Sequence, residues 1–135
     1  MGEETLDLLR EKLQQDPFAH SLGIRLLLLE EGLARMEMPL GENTRNFLGL
    51  THGGAIFTLA DHAFAAACNS HGERAVAFNV TINYLAPPNG DRLVAEAREV
   101  SRGKNAGVYH IQVRNADGSP VAEVQGLAYR RSERS

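Results

Sequence analysis

Cysteine, long apolar runs and an excess of positive charge are all scarce in this chain. The formal net charge is −3 over 135 residues, which leaves no basic surface for nucleic acid or an anionic membrane. One cysteine excludes an internal disulfide and a multi-cysteine metal site. That residue, Cys68, sits among alanines and reads as a small core side chain. No apolar run reaches the length of a membrane span. The first residues carry acids and leucines rather than a positive and then an apolar region, so no signal peptide is read and the cytoplasm is the expected location. The histidines lack ligand spacing and HExxH is absent, so no metal site is expected. There is no linker, repeat or low-complexity stretch. A single domain over residues 1–135 is expected, with a helical segment at 1–22 and a short charged tail at 131–135. Hydrophobic residues make up 43% and charged residues 23%, ordinary values for a chain that can bury a core.

Residues 3–15 (EETLDLLREKLQQ) place Leu6, Leu9 and Leu13 three and four apart, with acids early and Arg10 and Lys12 late. This is an amphipathic helix with dipole-matched charge. Asp16-Pro17 ends it, and residues 18–22 allow one more helical turn. Residues 24–30 are a strand-length apolar run, Glu31-Gly32 is a hairpin turn, and 33–39 alternate as a half-buried strand. Four further strands follow the central stretch, at 75–85, 92–100, 107–114 and 121–130. The loop 101–105 lies between the second and third of these, and Gly126 signals a bulge or a close backbone approach. Strands joined by short turns imply an antiparallel sheet. The fold class is therefore α+β, a curved sheet around one long helix.

That helix comes from residues 46–69, NFLGLTHGGAIFTLADHAFAAACN. A Gly-rich turn with His52, Gly53 and Gly54 opens an Ala-rich apolar segment holding one carboxylate, Asp61. A helix apolar all round has to be buried, and a carboxylate within it should be paired, hydrogen-bonded or functional. Uncovered N–H groups at the helix start favour developing negative charge. Together they suggest acyl-transfer chemistry.

Asn46-x-x-Gly49-x-x-His52-Gly53-Gly54, followed by Leu59 and Asp61, resembles the signature of hotdog-fold acyl-CoA thioesterases, most closely the PaaI-type branch of phenylacetate degradation. Agreement continues through residues 66–70, 75–87 and 107–109, so it covers most of the chain after about residue 20. The resemblance implies a hotdog fold and thioester hydrolysis without a cofactor, coenzyme A being part of the substrate. It also implies a homodimer commonly paired again into a tetramer.

Thioester hydrolysis needs a nucleophile or base and an oxyanion donor. Asp61 suits the first role, either attacking the carbonyl or activating water, since desolvation on its apolar face should raise its pKa. By family analogy the Gly53 N–H is the oxyanion donor, with Gly54 leaving room for the substrate. His52 either orients the thioester or holds the loop by a backbone contact. Asn46 either meets the thioester or attacking water, or satisfies its own loop. Ala77 stands where relatives carry a hydroxyl, leaving Thr58 and Thr81 as candidates. Gly53 and Asp61 are eight residues apart, about 12 Å along one helix, whereas both must come within about 3–3.5 Å of one reacting centre. One helix cannot supply both. An antiparallel second copy can, so an obligate homodimer with shared sites is inferred.

Phe57 and Phe64 on the Asp61 face, with Phe78 or Asn79 on the next strand, are candidates for an aryl pocket, core packing being the competing role. For coenzyme A phosphates the candidates are Arg102, Gly103, Lys104 and Asn105, or Arg130 and Arg131. The expected activity is hydrolysis of (hydroxy)phenylacetyl-CoA or a similar aryl-acyl-CoA. The alternatives are a non-catalytic acyl-CoA-binding protein and an enoyl-CoA hydratase. The absence of an Asp-x4-His arrangement counts against the hydratase.

Overall fold

The computed structural model describes residues 2–130. Helix α1 (Gly2–Gln14) packs on the first strand through Leu6, Leu9 and Leu13. It stops before Asp16, whose carboxylate accepts the Ala19 N–H at 3.0 Å and so caps the short helix α2 (Pro17–Ser21). Strands β1 (Arg25–Glu30) and β2 (Leu33–Pro39) form a hairpin turned at Gly32, whose φ of 73° needs glycine. The long helix α3 (Gly53–Cys68) follows, then β3 (Ala75–Tyr84), β4 (Arg92–Arg102), β5 (Ala106–Asn115) and β6 (Pro120–Arg130). No helix among the described residues is long and apolar enough to cross a membrane.

The six strands form one antiparallel sheet in the order β1-β2-β4-β5-β6-β3. Helix α3 lies against every one of them, so the sheet wraps it, as expected for the hotdog arrangement. The contact is made by small side chains: Ala60, Ala63 and Ala67 meet a floor that includes Ala34, Ala95 and Ala97, all fully buried. Alanine on both sides lets the helix axis approach the sheet closely enough for Met36, Met38, Leu59, Leu93 and Ile111 to fill the remaining space.

Two details differ from expectation, and at Gly126 one of the two expected readings is found. Strand β4 runs two residues further, because a bulge at Val100 restores pairing of Ser101 with Val108 and Arg102 with Gly107. Gly126 marks a close approach and not a bulge. A Cβ there would lie 2.7 Å from the Phe64 ring, which occupies that space. Burial of α3 is also one-sided: Phe57, Thr58, Asp61 and Ala65 form an outward stripe that no described residue fully covers.

Strand β3 is one edge of the sheet, contains no charged residue, and exposes Val76 and Phe78. Helix and strand run in opposite directions. The Tyr84 hydroxyl bonds Gly53 at one end, and Asn69 bonds both backbone groups of Ala75 at the other.

Candidate active site

The loop before α3 is built by Asn46. Its Oδ1 accepts the N–H groups of Leu48 at 2.9 Å and Leu50 at 3.1 Å, while its own N–H donates to the Leu50 carbonyl at 2.7 Å. Two donors on Oδ1 fix the amide orientation, so Nδ2 faces away from the loop as a donor with no partner among the described residues. Asn46 thus satisfies its loop and keeps a polar group for something else.

His52 is the N-cap of α3. Its Nδ1 accepts the Gly54 N–H at 2.9 Å, which puts the proton of the neutral ring on Nε2. The Ala55 and Ile56 N–H groups close back on the His52 carbonyl at 3.0 and 3.3 Å. Of the N–H groups at the helix start, only that of Gly53 has no acceptor among the described residues. It opens onto a groove of about 520 Å³ lined by Asn46, Leu50, Gly53, Ile56, Tyr84 and Leu85. A free N–H at the positive end of a helix, in an apolar groove beside an amide donor, is an arrangement that can hold an oxyanion.

Asp61 does not line that groove. It stands halfway along α3 on the outward stripe, level with the middle of β3, where Phe78 and Asn79 sit. It is half-buried and has no hydrogen-bond or ion-pair partner among the described residues. Desolvation pushes its pKa above the ordinary carboxylate value, opposed by the neighbouring His62. A carboxylate desolvated without a partner is a base waiting for a proton. Thr58, one turn earlier, spends its hydroxyl hydrogen on the Gly54 carbonyl at 2.8 Å. His62 points to the N-terminal segment, with Nδ1 3.9 Å from Asp16 Oδ2. Burial holds its pKa below the usual imidazole value, against the pull of Asp16 and Asp61.

The remaining candidates divide. Phe57 lies on the outward stripe with Asp61. Phe64 does not, and its assignment to an aryl pocket is corrected: it is 1% exposed, fitted over Gly126 with its ring centroid 5.5 Å from that of Tyr109. Its position three residues after Asp61 turns it just far enough round the helix to face the sheet. Phe78 is the extra residue of a bulge between Ala77 and Asn79, which leaves it exposed on the edge strand. The Cys68 thiol is buried, its pKa pushed up to about 12 by desolvation, as suits a core residue.

Arg102, Gly103, Lys104 and Asn105 form the exposed β4–β5 turn. Arg102 is held by Glu73 at 2.8 Å. Arg130 is corrected as a phosphate ligand: it is buried, and its guanidinium binds the Gly103 carbonyl and, at 2.8 Å, that of Lys104, shaping the turn from below. Arg131 and the 131–135 tail lie outside the described residues. The turn sits at the Ala75 end of β3 and Gly53 at the Tyr84 end, about 30 Å apart along a ten-residue strand.

Tyr84 was missed in the sequence. Its hydroxyl donates to the Gly53 carbonyl at 2.9 Å and its ring lies 3.4 Å from where a Gly53 Cβ would be. The only signal was an aromatic ending a strand, which a core role explains equally well.

In sequence and in fold the chain is similar to known proteins. Residues 48–122 match the model of the thioesterase superfamily. The acyl-coenzyme A thioesterase PaaI of Escherichia coli (strain K12) is 41% identical over 118 residues, which span 87% of this chain and 84% of that protein. The solved structure of the E. coli PaaI protein from the phenylacetic acid degradation operon superposes with a TM-score of 0.83 at 38% identity, covering 92% of this chain and 96% of the other. The TT0310 protein of Thermus thermophilus superposes with a TM-score of 0.82 at 34% identity, covering 86% and 98%.

Proposed function

The chain belongs to the thioesterase superfamily and is a thioester hydrolase, and we propose that it cleaves aryl-acyl-CoA thioesters at a site completed by a second copy of itself. One observation carries this reading: the free Gly53 N–H and the unpaired Asp61 carboxylate occupy one helix, about 12 Å apart. Two copies related by a two-fold axis, with α3 helices antiparallel and β3 edges paired, would bring Asp61 of one to Gly53 of the other. The uncharged edge of β3 and the uncovered stripe of α3 support such a pairing. So does the β4–β5 turn, which is too far from its own Gly53 to serve the same coenzyme A and would stand near that of the partner.

In the proposed reaction the thioester carbonyl oxygen accepts the Gly53 N–H, with the Asn46 amide beside it. Negative charge developing on that oxygen is stabilised by a donor already fixed in place. Asp61 either adds to the carbonyl carbon, expelling the thiolate and leaving an anhydride that water opens, or takes a proton from the water that adds, after which the tetrahedral intermediate expels the thiolate and the proton passes to the sulfur. His52 serves by occupying the Gly54 N–H, so that the Gly53 N–H alone is presented. Phe57, with Phe78 and Asn79 on the edge strand, would meet the aryl group. The operon named for E. coli PaaI supports phenylacetyl-CoA or a hydroxylated relative as substrate; a cytoplasmic location and a pair of dimers are proposed with it.

A thiol-release assay over a panel of acyl-CoAs tests this. Aryl-acetyl-CoAs are expected to be turned over fastest, and Asp61→Asn to abolish release while leaving the oligomer intact. Tight ligand binding without thiol release would make the chain a binding protein. Hydration of enoyl-CoA would make it a hydratase. Full activity of Asp61→Asn would end the assignment.

A further inference from the structure

A second groove, of about 480 Å³, lies between α1 and the turn that follows α3. Leu8 and Leu9 give it an apolar wall, and Lys12, Glu73 and Arg74 line it. The Glu73 carboxylate is already met by Arg102 at 2.8 Å and by Arg130 at 3.4 Å. Lys12 and Arg74 have no ion-pair partner among the described residues. The groove therefore presents two unmatched cations beside exposed leucine, a composition that suits a flat base carrying phosphates.

Its position fits as well. Asn69 lies in the lining, eight residues beyond Asp61, about 12 Å along the helix, a distance that an extended pantetheine arm spans. The Arg102 turn meets the groove through Glu73, whose carboxylate lines the groove and pairs with Arg102 at 2.8 Å.

We propose that this groove receives the adenosine 3′-phosphate end of an acyl-CoA, with Lys12 and Arg74 binding phosphate and Leu8 lying under the adenine. The proposal rests on the acyl-CoA reading above and adds to it a subsite partly built by the N-terminal helix. Titration of the full-length protein with adenosine 3′,5′-bisphosphate, followed by calorimetry, tests the site without any turnover. The wild type is expected to bind, the Lys12→Gln/Arg74→Gln double variant to bind on the order of tenfold more weakly or worse, and Lys12→Arg to retain affinity. Equal binding by wild type and double variant, or no binding by the wild type, overturns the proposal. Kinetics give a second readout, since the KM advantage of an acyl-CoA over the matching acyl-pantetheine should shrink in the double variant, and an unchanged ratio counts against the groove. Should bisphosphate binding depend on both cations while no acyl-CoA is hydrolysed, the groove stands and the reading of the reaction falls.

Discussion

The Tyr84 hydroxyl donates to the Gly53 carbonyl at 2.9 Å, tying the first residue of α3 to the last of β3. The bond grips the peptide unit just after the candidate oxyanion donor, so Gly53 itself is steadied from the sheet. Tyr84→Phe removes that bond and keeps the ring against Gly53. A hydrogen bond of this kind contributes about 0.5–1.5 kcal/mol, so kcat should fall up to about tenfold with little change in KM. Steady-state kinetics with one acyl-CoA would show it, and a rise in KM alone would instead assign Tyr84 to ground-state binding.

In the proposed reaction Asp61 would set the pH dependence. Its ionised form is needed in either proposed role, and desolvation raises its pKa, so the acid limb of kcat/KM should lie above the ordinary aspartate range. For stability the sign is opposite to that of a salt-bridged acid. A carboxyl with a raised pKa in the fold binds its proton more readily there than in the unfolded chain, so its charge costs stability at neutral pH. Asp61→Asn should lower kcat by at least about 1000-fold and be no less stable at pH 7. A clear loss of melting temperature in this variant would point to a structural role.

Gly126→Ala places a methyl 2.7 Å from the Phe64 ring. The ring is walled in by Tyr109 and the sheet, so the substitution should cost about 1–3 kcal/mol, the range for overpacking a filled core. Denaturant titration measures this, and Phe64→Leu in the same chain should restore part of the loss. Additive losses would mean that the two residues do not share the space.

Glu37 is buried on the face of the sheet away from α3, covered by Arg25 and by Arg92, whose Nη1 lies 2.8 Å from its carboxylate. The Arg25 hydrogen bond, opposed by burial and joined by Arg92, holds its pKa below the usual value. The stability that it contributes is complete above the ordinary glutamate pKa and is lost as pH falls through the lowered one. Glu37→Gln should therefore be about 1 kcal/mol less stable than wild type at pH 7, the gap closing in acid. Melting curves across that range check it, and a pH-independent gap would exclude the ion pair as the cause.

Much of this could be read in the sequence because the local signals agreed with one another. Alternation at 33–39, the break at Asp16-Pro17 and the turn at Glu31-Gly32 all describe short-range geometry, and each element formed where they placed it. The spacing of Gly53 and Asp61 could be read because a helix has a fixed rise. What stayed hidden depends on contacts distant in sequence. Phe64 was assigned to the Asp61 face because a spacing of three leaves a residue at the border of two faces, and only Gly126, 62 positions on, decides which. Arg130 looked like a surface cation, but the carbonyls of Gly103 and Lys104 that bury it come from another hairpin. Tyr84 and the groove at Lys12 and Arg74 are likewise products of how the strands and α1 meet.

The bare rim of β3 has a further consequence. Along AVAFNVTINY neither lysine nor proline discourages another strand from joining. While that rim is uncovered it is a template on which any extended chain can lay a further strand.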